Sequence, residues 1–352
     1  MAFTISENVA VRGISTCVPS SVHDINDYSL FTETEKKNFI HTVGVQKRRF
    51  VSEGICSSDL SVAAAQKLID ALNWDKNDID AIILVTQSGD YPIPSTAFII
   101  QDHLQLPDTC IAFDINLGCS GYVIGLQTIS SMMGKNKFKK VILLATDVPS
   151  INLSYHDKST YPLFGDGASA TALEYDECAK NMYFITQSNG RDFDALYIPH
   201  GGMRNFAGPH SFEEIEYEGG IKRNMTHIVL DGMRIFNFSI TKVPPQIITL
   251  MELCGNSIDE IDYFFTHQAN KIMNETIRKK LKIQADRFPY SIQEYGNTSS
   301  ASIPITMSHI LGDPNKMYKG ETVLSGFGIG LSWASAYISF ENTLILPVSD
   351  YE

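Results

Sequence analysis

The 352-residue chain has no uninterrupted apolar run of the roughly 18 residues that a membrane-spanning helix needs. Its first residues, Met1 to Gly13, carry no basic segment ahead of an apolar core, so a cytoplasmic protein is expected. The six cysteines, at 17, 56, 110, 119, 178 and 254, include no C-x-x-C pair, which argues against a disulfide framework and against a zinc site. Positive charge is also scarce: 28 lysines and arginines against 40 acidic residues leave a formal charge of -12. That balance opposes general binding to nucleic acid or to an anionic membrane surface. The densest basic clusters, Lys47-Arg48-Arg49 and Arg278-Lys279-Lys280, read either as solvated loop and helix ends or as local patches. Low-complexity linkers, charged tails and short-period repeats are missing too. What remains is a compact chain, 43% apolar, whose length favours two domains or one duplicated unit.

The hydrophobic pattern is that of an α/β protein. Ala81 to Thr86 and Val141 to Thr146 are short continuous apolar runs, as expected of strands buried on both faces. Ser57 to Leu72 begins Ser-Ser-Asp-Leu and then shows apolar residues at helical spacing, which predicts a capped amphipathic helix. In the second half, Pro244 to Leu253 and Lys271 to Leu281 read as helices, with strands at Ile261 to Thr266 and Thr322 to Gly326. Asp78 to Thr86 and Asp259 to Thr266 share one pattern, an acidic turn followed by a strand, which a tandem duplication would explain. Where these strands end the chain turns polar and small, the place where α/β folds put their sites.

Three such places carry candidate chemistry. Cys119 lies in Asn116-Leu117-Gly118-Cys119-Ser120-Gly121, a small-residue turn that can aim backbone N–H groups and a helix N-terminus at the sulfur and so lower the pKa of the thiol. The alternative is a buried inert cysteine. His267, in Thr266-His267-Gln268-Ala269-Asn270, ends a strand and is expected at the sheet edge; Asn297, in Gly296-Asn297-Thr298-Ser299, suits a sharp turn. A neutral amide beside an imidazole donates hydrogen bonds without making the ring more basic, so the pair suits a developing oxyanion such as the enolate of a decarboxylated malonyl thioester. The run Gly326-Phe327-Gly328-Ile329-Gly330 can bring N–H groups to an acyl oxygen, or be a bare tight turn.

At these residues the chain resembles the thiolase-fold condensing enzymes, and within them the beta-ketoacyl-ACP synthase III family. The likeness runs through Gly89 to Thr96, the Cys119 turn, Leu163-Phe164-Gly165-Asp166-Gly167-Ala168, Asp231 to Phe236, His267 to Asn270, Gly296 to Ser299, and Gly326 to Trp333. It implies a homodimer of thiolase-like subunits with a layered αβαβα core, each built of two similar halves, residues 1–175 with the cysteine and 176–352 with the histidine and asparagine. It also implies a ping-pong condensation without metal or redox cofactor, in which Cys119 takes an acyl group from acyl-CoA or acyl-ACP. The N–H groups of Cys119 and Ile329 would form the oxyanion hole. His267 and Asn297 would assist decarboxylation of malonyl-ACP, and Ile93 would cross the dimer to gate the acyl pocket. Lys279 and Lys280 match residues that meet the acyl carrier protein.

The chain departs from that pattern at Asn38 and Thr42, where housekeeping members carry a Trp and an Arg that grip coenzyme A, and at Asn237 and Ile272, where other basic residues usually lie. A specialised member is implied, serving a secondary-metabolite or polysaccharide pathway. Two other readings stay open: acyl transfer to a hydroxyl or amine, and a non-catalytic carrier-binding protein. A thiolase would need a second cysteine within Gly326 to Trp333, and there is none. Plant-type polyketide synthases usually follow their histidine with Pro-Gly-Gly in place of Gln268-Ala269-Asn270. A papain-like protease would show Cys-Gly-Ser-Cys-Trp, which is missing.

Overall fold

The computed structural model describes residues 2–352. Ala81–Val85 is a strand buried along its whole length, because both of its faces are covered. Its side chains alternate: Ala81, Ile83 and Val85 enter one hydrophobic cluster, Ile82 and Leu84 another. Lys140–Asp147 lies parallel beside it and divides the same way, with Val141 and Leu143 on one side and Ile142 and Leu144 on the other.

The main sheet has 11 strands and folds into two layers. One layer runs Val9–Pro19, Gly167–Tyr175, Lys140–Asp147, Ala81–Val85, Ile111–Ile115. The other runs Ala2–Ser6, Met182–Ser188, Ser332–Ile345, Met317–Gly328, Tyr263–Thr266, and the eleventh strand, Ser349–Tyr351, pairs with the end of Val9–Pro19. In the first, three parallel strands are followed by antiparallel partners; in the second, one parallel pair is. The layers join where Leu344 and Ile345 pair with Gly13 and Ile14, and the N-terminal strand Ala2–Ser6 belongs to the layer built otherwise from the C-terminal part of the chain.

Helices fill the remaining layers. Between the sheets lie Gly121–Met132 and Ser302–Leu311, whose Tyr122, Val123, Leu126, Ile129, Ile303 and Met307 pack against strands from both. Ser57–Leu72 and Thr96–His103 cover one outer face; Gly232–Cys254 and Lys271–Lys280 cover the other. The result is the αβαβα arrangement of a thiolase-like α/β protein. It sets the N-terminal ends of the two central helices, and the strand ends beside them, at one shared site.

The helix expected from Pro244 begins earlier, at Gly232, where the Asp231 carboxylate accepts from the Arg234 N–H at 3.0 Å. Pro244 and Pro245 therefore lie inside it and leave the carbonyls of Ile240 and Thr241 without their intrahelical donors. Lys280 Nζ donates to the Ile240 carbonyl at 2.8 Å, and the buried stripe of Ile235, Phe238, Val243, Ile247 and Met251 holds the helix through the prolines. The strand expected at Thr322 to Gly326 extends over Met317–Gly328 because its antiparallel partner Ser332–Ile345 keeps pairing beyond the buried stretch.

Candidate active site

Cys119 lies in the turn between strand Ile111–Ile115 and helix Gly121–Met132, closed by a 2.7 Å hydrogen bond from the Gly121 N–H to the Gly118 carbonyl. The end of strand Met317–Gly328 runs flat against this turn, which only glycine permits. A Cβ on Gly328, whose φ is +152°, would stand 2.7 Å from the Cys119 sulfur, and one on Gly326 would stand 2.8 Å from the Cys119 carbonyl oxygen. The close approach brings the Ile329 N–H to the sulfur, where it converges with the N–H of Cys119 and the hydroxyl of Ser299. Two backbone donors at one thiol form a pocket suited to an oxyanion.

Ser299 ties the three predicted residues together. Its hydroxyl meets the Cys119 sulfur, its carbonyl meets the His267 ring, and its N–H donates to Asn297 Oδ1 at 3.0 Å. Asn297 is held from the other side by Leu163 and Gly165, whose backbones bond to its N–H at 2.9 Å and to its carbonyl at 3.1 Å. The preceding Gly296 has φ +66°, and a Cβ there would meet the Leu163 carbonyl at 2.9 Å and Arg48 Cγ at 3.0 Å. With Oδ1 committed to Ser299, the Asn297 amide nitrogen has no partner among the described residues and remains as a donor.

His267 follows strand Tyr263–Thr266 and is 1% exposed, deeper than the sheet-edge position expected. Helix Ser302–Leu311 covers it: Ser302 Oγ lies 2.7 Å from Nδ1 and accepts from the Gln268 N–H at 3.4 Å. The serine hydrogen is thus directed at Nδ1, and the network assigns the ring proton to Nε2. Burial, opposed only by the Ser299 carbonyl, lowers the imidazole pKa to about 3, so the ring is neutral and a donor.

The expected acidified thiol is not found in the resting chain. Burial raises the Cys119 pKa to about 11, and the donors from Ile329, Cys119 and Ser299 do not offset this; the nearby Asp147 carboxylate opposes ionisation further. Asp147, which the sequence reading missed, ends strand Lys140–Asp147 and is itself raised by burial. It accepts from the Gln87 N–H at 2.8 Å and the Ser300 N–H at 3.1 Å, clamping the Ser299 turn to the sheet that carries Cys119. One signal could have revealed it, an acidic side chain at the end of an otherwise apolar strand.

Iodoacetamide should therefore modify the exposed Cys178 before Cys119 at pH 8, with the Cys119 rate still climbing towards pH 11, as read by peptide mass mapping. A Cys119 rate that levels off at neutral pH would contradict the burial argument. The same shifts bear on stability. Cys119, raised from 9.0, contributes stability below pH 9 that is lost as pH rises through about 11; His267, lowered from 6.5, contributes stability above pH 6.5 that is lost as pH falls towards 3.

A cavity of about 460 Å³ opens beside Cys119, walled by Pro149, Phe164, Leu196, Ile198, Ile228 and Ile329 and by a set of polar side chains that includes Gln87, Asn116 and Asn152. Ile93 stands outside it, 84% exposed. Lys279 and Lys280 lie exposed in the last turn of helix Lys271–Lys280, where Lys280 is tied to the Ile240 carbonyl. Arg48 is not a solvated loop cation: it is 1% exposed, its guanidinium 5.0 Å from the ring centroids of both Phe50 and Tyr161 beneath Gly296, and burial lowers its pKa to about 10. Asn38 and Thr42 are exposed on helix Glu33–Thr42, with the Thr42 hydroxyl bonded back to the Asn38 carbonyl at 2.6 Å. Among the described residues no group of histidine, cysteine and acidic side chains is placed to hold a metal ion.

This geometry sits within a set of close relatives. Residues 113–190 match the family described as 3-oxoacyl-[acyl-carrier-protein] synthase III, and residues 251–340 match its C-terminal part. A putative 3-oxoacyl-[acyl-carrier-protein] synthase 3 of Campylobacter jejuni is 32% identical, covering 96% of this chain and 95% of that protein. A beta-ketoacyl-[acyl-carrier-protein] synthase III of Lactococcus lactis is 32% identical over 92% of this chain and 96% of its own. The crystal structure of a 3-oxoacyl-(acyl-carrier protein) synthase from Burkholderia xenovorans superposes with a TM-score of 0.92 at 32% identity, covering 99% of each chain.

Proposed function

This chain belongs to the beta-ketoacyl-ACP synthase III family, and on that footing we propose that it condenses an acyl thioester with malonyl-ACP through an acyl-Cys119 intermediate. The observation that carries the reading is that one residue, Ser299, links a buried thiol met by two N–H donors to a neutral imidazole and to the Asn297 carboxamide.

In the first half-reaction the Cys119 sulfur attacks the thioester carbonyl. The tetrahedral oxyanion rests between the N–H groups of Cys119 and Ile329, and the thiol proton leaves with the departing thiolate. Because the resting thiol is protonated, deprotonation accompanies attack. In the second, malonyl-ACP loses carbon dioxide as its C–C bond breaks, and the enolate oxygen takes a hydrogen bond from Asn297 Nδ2 and, displacing the Ser299 carbonyl, one from His267 Nε2. The carbanion attacks the acyl-cysteine, a C–C bond forms, and the released thiolate recovers a proton from solvent. Neutral donors suit this step, since a charged imidazolium would tend to protonate the carbanion.

A homodimer is part of the proposal. Strand Ile111–Ile115 is an edge strand with an unpaired side, and Tyr91, Ile93, Phe98 and Ile111 stand exposed near it. Pairing two such edges would carry Ile93 towards the partner's cavity as its gate. Lys279 and Lys280 offer cations to an acidic carrier protein. No described helix is long and apolar enough to cross a membrane, and the reading places the enzyme in the cytoplasm without metal or redox cofactor.

The test is to incubate the purified protein with acyl thioesters and malonyl-ACP and to follow intact mass, carbon dioxide and product. An acyl adduct, carbon dioxide release and a 3-oxo product support condensation. An adduct with no use of malonate would move the reading to acyl transfer, and no adduct across a broad donor set would end it.

A further inference from the structure

The polar side of the Cys119 cavity is not used by the chemistry above. Gln87 follows the end of strand Ala81–Val85, and Asn116 follows the end of its neighbour Ile111–Ile115, so the two carboxamides stand side by side on the sheet edge that carries the nucleophile. Gln87 Nε2 donates to Asn116 Oδ1 at 3.3 Å. Gln87 Oε1 lies only 2.5 Å from where a Cβ on Gly118 would stand, which puts this amide against the residue preceding Cys119.

That single bond leaves the Gln87 oxygen, one Gln87 N–H and both side-chain N–H groups of Asn116 with no partner among the described residues, on the solvent-exposed side of the cavity. The conclusion does not depend on which way the amides are turned. Flipping both merely exchanges which residue offers the donor and which the acceptor. Asn152, on the same cavity, adds a third carboxamide whose side chain has no hydrogen-bond partner among the described residues.

Both amides are exposed to solvent, so a plain alkyl chain lying over them would displace their water and return no hydrogen bond, at the cost of their desolvation. A hydroxyl can donate to the open oxygen and accept from the open N–H at the same time. Charge fits less well. Neither lysine nor arginine lines the cavity, so an acyl group carrying a carboxylate would find no counter-ion. The lining carboxylate of Asp147 already accepts from the Gln87 and Ser300 N–H groups and is not open to an ammonium.

Resting on the synthase reading, we infer that the acyl group this enzyme loads on Cys119 carries a neutral hydroxyl within a few carbons of the thioester, and that Gln87 and Asn116 are the residues that select it. The apolar wall of Leu196, Ile198 and Ile228 then holds the remaining hydrocarbon. The metabolic step that supplies the substrate is one that leaves a hydroxyacyl thioester, such as carbonyl reduction or alkene hydration.

Matched acyl-pantetheine thioesters of four to six carbons, plain or hydroxylated at carbon 2, 3 or 4, are offered in competition to the purified full-length protein, and the Cys119 adduct is read by intact mass. At least one hydroxylated donor is expected to acylate Cys119 about tenfold faster or more than its plain counterpart. A Gln87→Leu/Asn116→Leu double variant is expected to lose that preference and to load the plain chain at least as fast. Plain donors that match or outrun every hydroxylated one would overturn the inference while leaving the synthase reading intact, as would a preference unchanged in the double variant. If no donor in either series labels Cys119, the synthase reading falls and takes the selection with it.

Discussion

Cys119→Ala is expected to abolish the acyl adduct and to lower 3-oxo product formation by roughly 10⁴-fold or more, the scale seen when a covalent nucleophile is removed. The groups that meet at this turn, the N–H groups of Cys119 and Ile329 and the Ser299 hydroxyl, all approach the sulfur itself. The N–H groups of Cys119 and Ile329 survive the substitution, but without a sulfur they have no tetrahedral centre to stabilise. Folding should survive as well. Alanine keeps the turn, removes an atom that Gly328 approaches closely, and leaves the Gly121 to Gly118 hydrogen bond untouched. Intact mass after incubation with a donor that labels the wild type checks the adduct, and thermal unfolding checks the fold. An adduct at one of the other five cysteines, with product formation retained, would remove Cys119 from the mechanism.

His267→Ala is expected to divide the reaction. Acylation of Cys119 should proceed near the wild-type rate, because the oxyanion of that step rests on backbone N–H groups. Carbon dioxide release from malonyl-ACP should fall by about 10²–10³-fold, the usual cost of one oxyanion donor. The variant leaves the Ser302 hydroxyl without its Nδ1 partner in a buried position, so some stability is lost. His267→Gln, which can restore a donor, provides the control: recovery of part of the decarboxylation would mark hydrogen bonding as the function of the residue. Single-turnover measurement of the two half-reactions decides the matter. Product formation by His267→Ala within a few-fold of wild type would show that Asn297 alone carries the enolate.

The alternation buried in Ala81 to Val85 was legible because a strand covered on both faces can be nothing but apolar, and the helix at Ser57 to Leu72 because its capping residues and its stripe agree. The helix start at Gly232 was not. Pro244 has the look of a first helical residue, and only the buried stripe and the Lys280 ammonium, supplied from a distant helix, explain how a helix continues through two prolines. The state of the thiol was misread for a related reason. The turn chemistry around Cys119 argues for a lowered pKa, whereas the depth of burial, set by the Gly326–Gly328 strand end lying over it, argues more strongly for a raised one. Ser299 and Asp147 carried little in the sequence to mark them, since a serine among serines and an acid at a strand end are ordinary until they are seen to link two sheets.

The sequence by itself determined the α/β class and the family, and singled out Cys119, His267 and Asn297 as candidates, because these rest on local pattern and on short motifs whose order along the chain is preserved. Only the tertiary structure decided the protonation of Cys119 and His267, the part played by Ser299 in joining them, and the pairing of Gln87 with Asn116 on the cavity wall. Those properties belong to distances between residues far apart in sequence. Desolvation and hydrogen bonding depend on what surrounds a group in space, and no pattern along the chain states what that will be.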